Sequence, residues 1–136
     1  ITGVKWYQAT TGSYSANNYN GVGLYSVSAG VATLVASSTD DGTIWKGTQV
    51  WQSKAFSSPY SATKGTYYIG ALWCASATVT APGAMGVAIT TAAVQTFDFT
   101  SGKMYCFSSS QTSLPASVTL SGTTSLASAG LYFFIY

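Results

Sequence analysis

The run Lys64-Gly65-Thr66-Tyr67-Tyr68-Ile69-Gly70-Ala71-Leu72-Trp73-Cys74-Ala75 constrains the fold more than any other stretch of the chain. Its β-branched and aromatic content, and the Gly that opens it, predict a strand. Side chains on a strand alternate between faces. One face carries Tyr67, Ile69, Ala71 and Trp73; the other carries Thr66, Tyr68, Leu72 and Cys74. Neither face is polar, so both must be covered. One cover is a second sheet. The other is either more of this chain or another copy of it.

The final run, Leu131 to Tyr136, poses the same question. Leu131, Phe133 and Ile135 point one way; Tyr132, Phe134 and Tyr136 point the other. The simplest arrangement buries one set in the core and sets the other against neighbouring subunits around an axis. Tyr132, Phe134 and Tyr136 are therefore the expected interface of a homotrimer. A weakly charged surface offers little repulsion to oppose it.

Between these runs the chain reads as short strands parted by turns. Val4–Tyr7 is a strand candidate, followed by turn-rich sequence from Ser13 to Gly21 in which Asn20-Gly21 predicts a turn with positive φ. Val22–Val27 and Val31–Ala36 form a hairpin around Ser28-Ala29-Gly30, a three-residue loop suited to a bulge. Thr39-Asp40-Asp41-Gly42 is a second turn, and Thr48–Phe56 a strand with Trp51 on one face and Val50 on the other. Gly86–Thr91, Val94–Phe99, Lys103–Phe107 and Ser117–Ser121 are further strand candidates. Thr90–Val94 could instead form one helical turn. No helical periodicity persists, and no repeat of solenoid or propeller period is present. The expected fold is all-β, an antiparallel sandwich of jelly-roll type. One domain should span residues 1–136, as the C-terminal part of a longer chain.

Composition narrows the functions. Charged residues are 6% of the 136 positions and His is absent, against roughly a quarter charged in ordinary soluble domains. There is no Arg or Glu either. A net charge of +2 is too small and dispersed for nucleic acid. No window is long enough for a transmembrane helix. An outer-membrane barrel would need longer strands with one polar face. Without His a Ser nucleophile lacks its usual base. Asp40, Asp41 and Asp98 do not form an acid pair, so no catalytic residue is expected. Asp40-Asp41 falls short of a calcium site and reads as a turn. No metal and no cofactor are expected. Cys74 and Cys106 lie in apolar runs, which predicts buried free thiols. Sugar sites combine a flat aromatic face with polar neighbours; Tyr14, Tyr19, Trp45 and Tyr60 lie in or beside such loops and are the candidate ligand-binding residues. Trp51 and Trp73 are expected in the core or at an interface.

Several pieces between Asn17 and Trp73 also carry a likeness. They are Asn17-Asn18-Tyr19-Asn20, Val22-Gly23-Leu24-Tyr25, Leu34-Val35-Ala36-Ser37-Ser38, Gly42-Thr43-Ile44-Trp45-Lys46, Ser53-Lys54-Ala55-Phe56 and Gly65-Thr66-Tyr67-Tyr68. This stretch resembles a recurring segment of tailed-bacteriophage virion proteins, the C-terminal β-sandwich of a tail-fibre, baseplate or head-fibre protein. The resemblance covers under half of the chain; the first strand and everything after Ala75 are placed by architecture alone. It implies a virion structural protein, a fibre- or spike-type head for host-surface attachment. Its partners would be its own copies, other virion proteins and a host cell-surface glycan, with no nucleic acid and no membrane insertion. Its location would be the extracellular particle, assembled in the host cytoplasm. A capsid or head-fibre component without a host ligand, and a carbohydrate-binding module of a secreted bacterial protein, are the alternatives.

Overall fold

A computed structural model describes residues 1–80, 82–84, 86–87, 106–107, 111–122, 124–125, 130–131 and 133–136. Its strands are β1 (Gly3–Thr10), β2 (Ser13–Ala16), β3 (Gly21–Ser28), β4 (Val31–Ser37), β5 (Val50–Ala55), β6 (Thr66–Leu72) and β7 (Ala75–Thr80), then β8 (Gly83–Ala84), β9 (Gly86–Val87), β10 (Cys106–Phe107), β11 (Ser117–Thr119), β12 (Thr124–Ser125), β13 (Gly130–Leu131) and β14 (Phe133–Ile135). One 3-10 turn, Leu120–Gly122, is the sole helical element among the described residues. The chain is all-β and its strand pairs are antiparallel. Val94–Phe99, Thr90–Val94, Asp98 and Tyr132 lie outside the described residues. Parts of the Gly86–Thr91 and Lys103–Phe107 candidates are seen as β9 and β10.

Two sheets carry the core. In the first, β1 pairs with β5 on one side and with β14 and β8 on the other. In the second, the order is β11-β4-β3-β6. Alternation along β1 sends Val4, Trp6 and Gln8 inward, where all are fully buried. They meet Val22 and Leu24 of β3, with Ile44, Trp45 and Phe56 from the connecting segments and Tyr14 from β2. Each large apolar side chain so buried contributes about 1.5–3 kcal/mol. The Trp6 indole N–H would be costly to bury alone. It donates to Gln8 Oε1 at 2.9 Å, while Gln8 Nε2 donates to the Thr10 carbonyl at 2.7 Å.

The second sheet is covered on its far face too. Tyr25, Ala32 and Leu120 form a separate cluster with Val27, Leu34, Tyr68, Leu114 and Val118. Segment 111–122 supplies this cover: Tyr25 Oη donates to the Pro115 carbonyl at 3.0 Å, and burial pushes the phenol up to about 12. The second cover demanded by the β6 sequence is thus built, on Tyr68's face, from the same chain. Gly23 and Gly70 face each other across β3 and β6. A Cβ at Gly70 would meet the Tyr25 ring at 2.6 Å, and one at Gly23 would meet Leu114 and Leu34 at 2.8 Å. The pair leaves the hollow that Leu114 and Tyr25 fill.

Several local expectations change. The predicted central run is two strands: β6 ends at Leu72, and β7 leaves to pair with β2. The turn-rich stretch at Ser13 contains β2, because its backbone finds a partner there. Asn20 is not at positive φ; Asn18 is, at 52°. Asn20 is instead a buried hub. Its N–H donates to Asp40 Oδ1 at 2.8 Å, and its Oδ1 accepts from the Cys74 N–H at 2.9 Å. Gly21 is required by contact rather than by conformation, since a Cβ would meet Ser38 Oγ and Tyr19 Oη at 2.5 Å. The β3–β4 loop is the two residues Ala29-Gly30, with Ser28 paired to Val31 and φ of 48° and 77°. That is a type I′ turn, and the bulge lies at Leu24/Tyr25 instead.

These two glycine and turn positions give opposite outcomes. Ala29→Asn relieves a left-handed alanine and should raise stability by about 0.5–1 kcal/mol. Gly70→Val overfills the Leu114 hollow and should lower it by about 1–3 kcal/mol. Urea unfolding of the two variants beside the parent chain measures both.

Candidate functional site: an exposed aromatic face

The four loop aromatics expected to bind sugar are not gathered on one surface. Trp45 is 5% exposed and Tyr14 is 8% exposed, both within the inter-sheet core. Trp45 packs on Trp6 with ring centroids 5.0 Å apart, and its Nε1 donates to the Leu72 carbonyl at 3.0 Å. Loop sequence hid this because the 42–45 turn is tight and directed inward. Asp41 holds it, accepting from the Thr43 N–H at 3.0 Å and the Thr43 hydroxyl at 2.7 Å. Tyr14 stands edge-on to Trp73 at 5.7 Å with Lys46 Nζ 4.9 Å from its ring centroid. Its hydroxyl nears the Trp45 backbone without reaching hydrogen-bond geometry, and Trp73 Nε1 is likewise buried without a partner.

Tyr19 is a lock. Its hydroxyl donates to the Ser38 carbonyl at 2.8 Å and lies 3.1 Å from Ser38 Oγ. Tyr60 is half-buried and edge-on to Tyr67 at 6.0 Å, with its backbone paired to Ile1. The turn expected at residues 39–42 lies at residues 42–45 instead, with the Ile44 N–H on the Asp41 carbonyl at 3.1 Å. Asp41 also pairs with Lys54 Nζ at 2.9 Å, and no metal-holding cluster occurs among the described residues. Cys74 is a free thiol whose Sγ donates to the Gln111 carbonyl at 3.2 Å; burial, with Asp40 behind it, pushes its pKa up. The side chain of Cys106 lies outside the described residues.

The exposed aromatics sit elsewhere, on the outer face of the first sheet. Register places them: Tyr7 is opposite Trp51, and Lys5 lies between Ser53 on β5 and Phe134 on β14. Trp51 is 53% exposed, and Phe134 and Tyr136 are each 50% exposed. Strands β5 and β14 flank β1, so they are two inter-strand spacings apart, about 9–10 Å. The Trp51 and Phe134 centroids are nevertheless only 5.8 Å apart, so the rings lean together across β1. Tyr7 meets Trp51 edge-on at 5.6 Å, and Lys5 Nζ is 5.4 Å from the Trp51 centroid. Tyr136 extends the row over Gly3, where a Cβ would meet its hydroxyl at 2.6 Å.

Phe134 and Tyr136 were the expected interface residues, and both stand on this face; Tyr132 lies outside the described residues. Trp51 was expected in a core or interface, and the structure leaves it open. One signal for this was in the sequence. Gln49 and Ser53 flank Trp51 at the same parity, which marks a wet face. Lys5 beside Tyr7 marks one on β1. What the sequence could not tell is that β1, β5 and β14 are neighbours. Comparison with protein-family models, curated proteins and solved structures finds no match.

Two measurements follow from this geometry. Removing the Tyr14 hydroxyl (Tyr14→Phe) should leave stability unchanged or raise it, because the buried group is unpaired. Tyr19→Phe should cost about 1 kcal/mol, because that hydroxyl is bonded. Thermal melts of the two variants compare them directly. The second concerns acid. Hydrogen bonds from Lys54 and then Thr43 hold Asp41 at about 2, below its ordinary 3.8. Its contribution is therefore present above pH 4 and lost as pH falls towards 2. Asp41→Asn should show a smaller fall in melting temperature across that window than the parent chain.

Proposed function

We propose that this chain is the surface-displayed domain of a bacteriophage virion protein, a fibre- or spike-type head of jelly-roll type that attaches the particle to its host. The observation that carries the reading is the row Trp51, Phe134 and Tyr136 standing half-exposed on one sheet face, with Tyr7 partly buried beside Trp51. A contiguous apolar patch of this kind marks an interaction surface. The likeness of Asn17–Trp73 to phage virion segments supports the lineage. The proposal contains no catalytic step, in keeping with a chain that has no His, Glu or Arg.

A second reading is assembly of copies, as a homotrimer, through the same strip. The half-exposed Phe134 and Tyr136 on that strip favour it. The two-sided apolarity of β6 no longer does, because segment 111–122 covers the Tyr68 face.

Antiserum to the purified chain should decorate phage particles in electron micrographs, and labelled chain should bind intact host cells. Trp51→Ala should weaken that binding at least tenfold while preserving the circular dichroism spectrum. Undecorated particles, or undiminished cell binding by the variant, overturn the proposal.

A further inference from the structure

We infer that the outer face of the first sheet binds a carboxylate-bearing sugar, with Trp51 as the stacking platform and Lys5 as the partner of the carboxylate. The inference rests on the attachment reading above and names its ligand class.

Three features of the face select this ligand. The first is shape. Trp51 is held by Tyr7, edge-on, and by Phe134, tilted against it, yet 53% of it is open. A ring braced in this way loses little freedom when a second flat, C–H-rich surface lies on it. A pyranose presents such a surface.

The second feature is charge. Lys5 is exposed, and it is the one charged side chain that the register puts on this face among the described residues. Its ammonium is a donor with no acceptor capacity. It already lies 5.4 Å from the Trp51 centroid, so cation and platform are poised together. Ser53, directly across from Lys5, adds a hydroxyl, and Tyr7 and Tyr136 carry phenols at the rim. Among the described residues the set is rich in donors, and none of its side chains is a carboxylate. It fits a ligand that brings acceptors and negative charge next to an apolar ring face.

The third feature is what the face refuses. A second copy of this chain would bring another Lys5 and, among the described side chains of this face, no acid to meet it. The carboxylates described are committed elsewhere, Asp41 to Lys54 and Thr43, Asp40 to the Asn20 N–H. Such a contact would strand or oppose the two ammonium groups on burial. A nucleic-acid backbone would need several cations in a row, and the described residues of this face supply one.

The test is an array of oligosaccharides containing hexuronic acids, printed beside their carboxyl-reduced neutral counterparts and probed with the purified chain. The acidic forms should bind at least tenfold more tightly. Lys5→Gln should erase that preference and keep the weaker neutral binding. Trp51→Ala should weaken both forms at least tenfold with an unchanged circular dichroism spectrum. Equal binding of acidic and neutral forms, or a Lys5→Gln variant that keeps the preference, overturns the inference. So does concentration-dependent self-association, by light scattering, that Trp51→Ala abolishes, for the face is then a contact between copies. Intact host cells separate this from the parent reading. Binding that survives chemical reduction of the cell-surface carboxylates overturns the acidic ligand and leaves attachment standing. Absence of cell binding before any reduction overturns both.

Discussion

Strand β3 is buried on both faces, and most of the architecture answers that one demand. Gly21 to Tyr25 are all buried. Val22 and Leu24 need the first sheet above them, while Gly23 and Tyr25 need a cover below. A two-faced strand cannot sit at an edge, so β4 and β6 flank it. The cover below has to come from beyond β3 and its two flanking strands. Segment 111–122 provides it by anchoring to Tyr25 through the Pro115 carbonyl and to the β3–β4 turn through the Leu120 N–H on the Gly30 carbonyl. Removing either anchor would expose the apolar underside of the sheet.

Demand for two covers was legible in the sequence; its supplier was not. Period-two reading of Thr66 to Cys74 showed that neither face could stay wet, and it left open whether the chain or a copy provides the second layer. The deciding contacts join residues some ninety positions apart, Tyr25 with Pro115, and no local pattern carries such information. The same limit explains the loop aromatics. Tyr14, Tyr19, Trp45 and Tyr60 have the polar neighbours of a sugar site. Trp45 is nonetheless drawn inward by a turn that Asp41 closes, and Tyr19 is held by Ser38. Neighbouring sequence reports the company a residue keeps along the chain, whereas burial depends on company across it.

The charged residues show a division of labour. In a chain with 6% charged residues each one can be followed individually. Asp40 accepts from the Asn20 N–H, Asp41 closes the 42–45 turn, and Lys54 is spent on Asp41. The phage-like pieces lie largely in this same region: the Asn17–Asn20 approach, β3, the end of β4, the 42–46 turn, the end of β5 and the start of β6. They describe a scaffold. The exposed aromatics are Trp51 near the start of β5, Phe134 of β14 and Tyr136 just after it, the last two outside the stretch that carries the resemblance. The proposed attachment role is compatible with this division, because a surface face can change while the core that carries it does not.

The same argument explains why aromatic residues can be left open without being a defect of the fold. On β1 and β14 the two parities carry similar residue types, Trp6 against Tyr7 and Phe133 against Phe134. Composition therefore does not decide which is inside. Register does. Trp6 lies opposite Phe133 and Gln52, with its indole satisfied by Gln8, so its parity faces β3. Tyr7 and Phe134 then have no route inward. They turn to Trp51, which lies 5.6 Å from one and 5.8 Å from the other. Ring contacts of this kind contribute about 0.5–1.5 kcal/mol each, enough to order an exposed cluster but well short of what full burial yields. The face is ordered by its own ring contacts, and half of the Trp51 and Phe134 surface stays open to solvent.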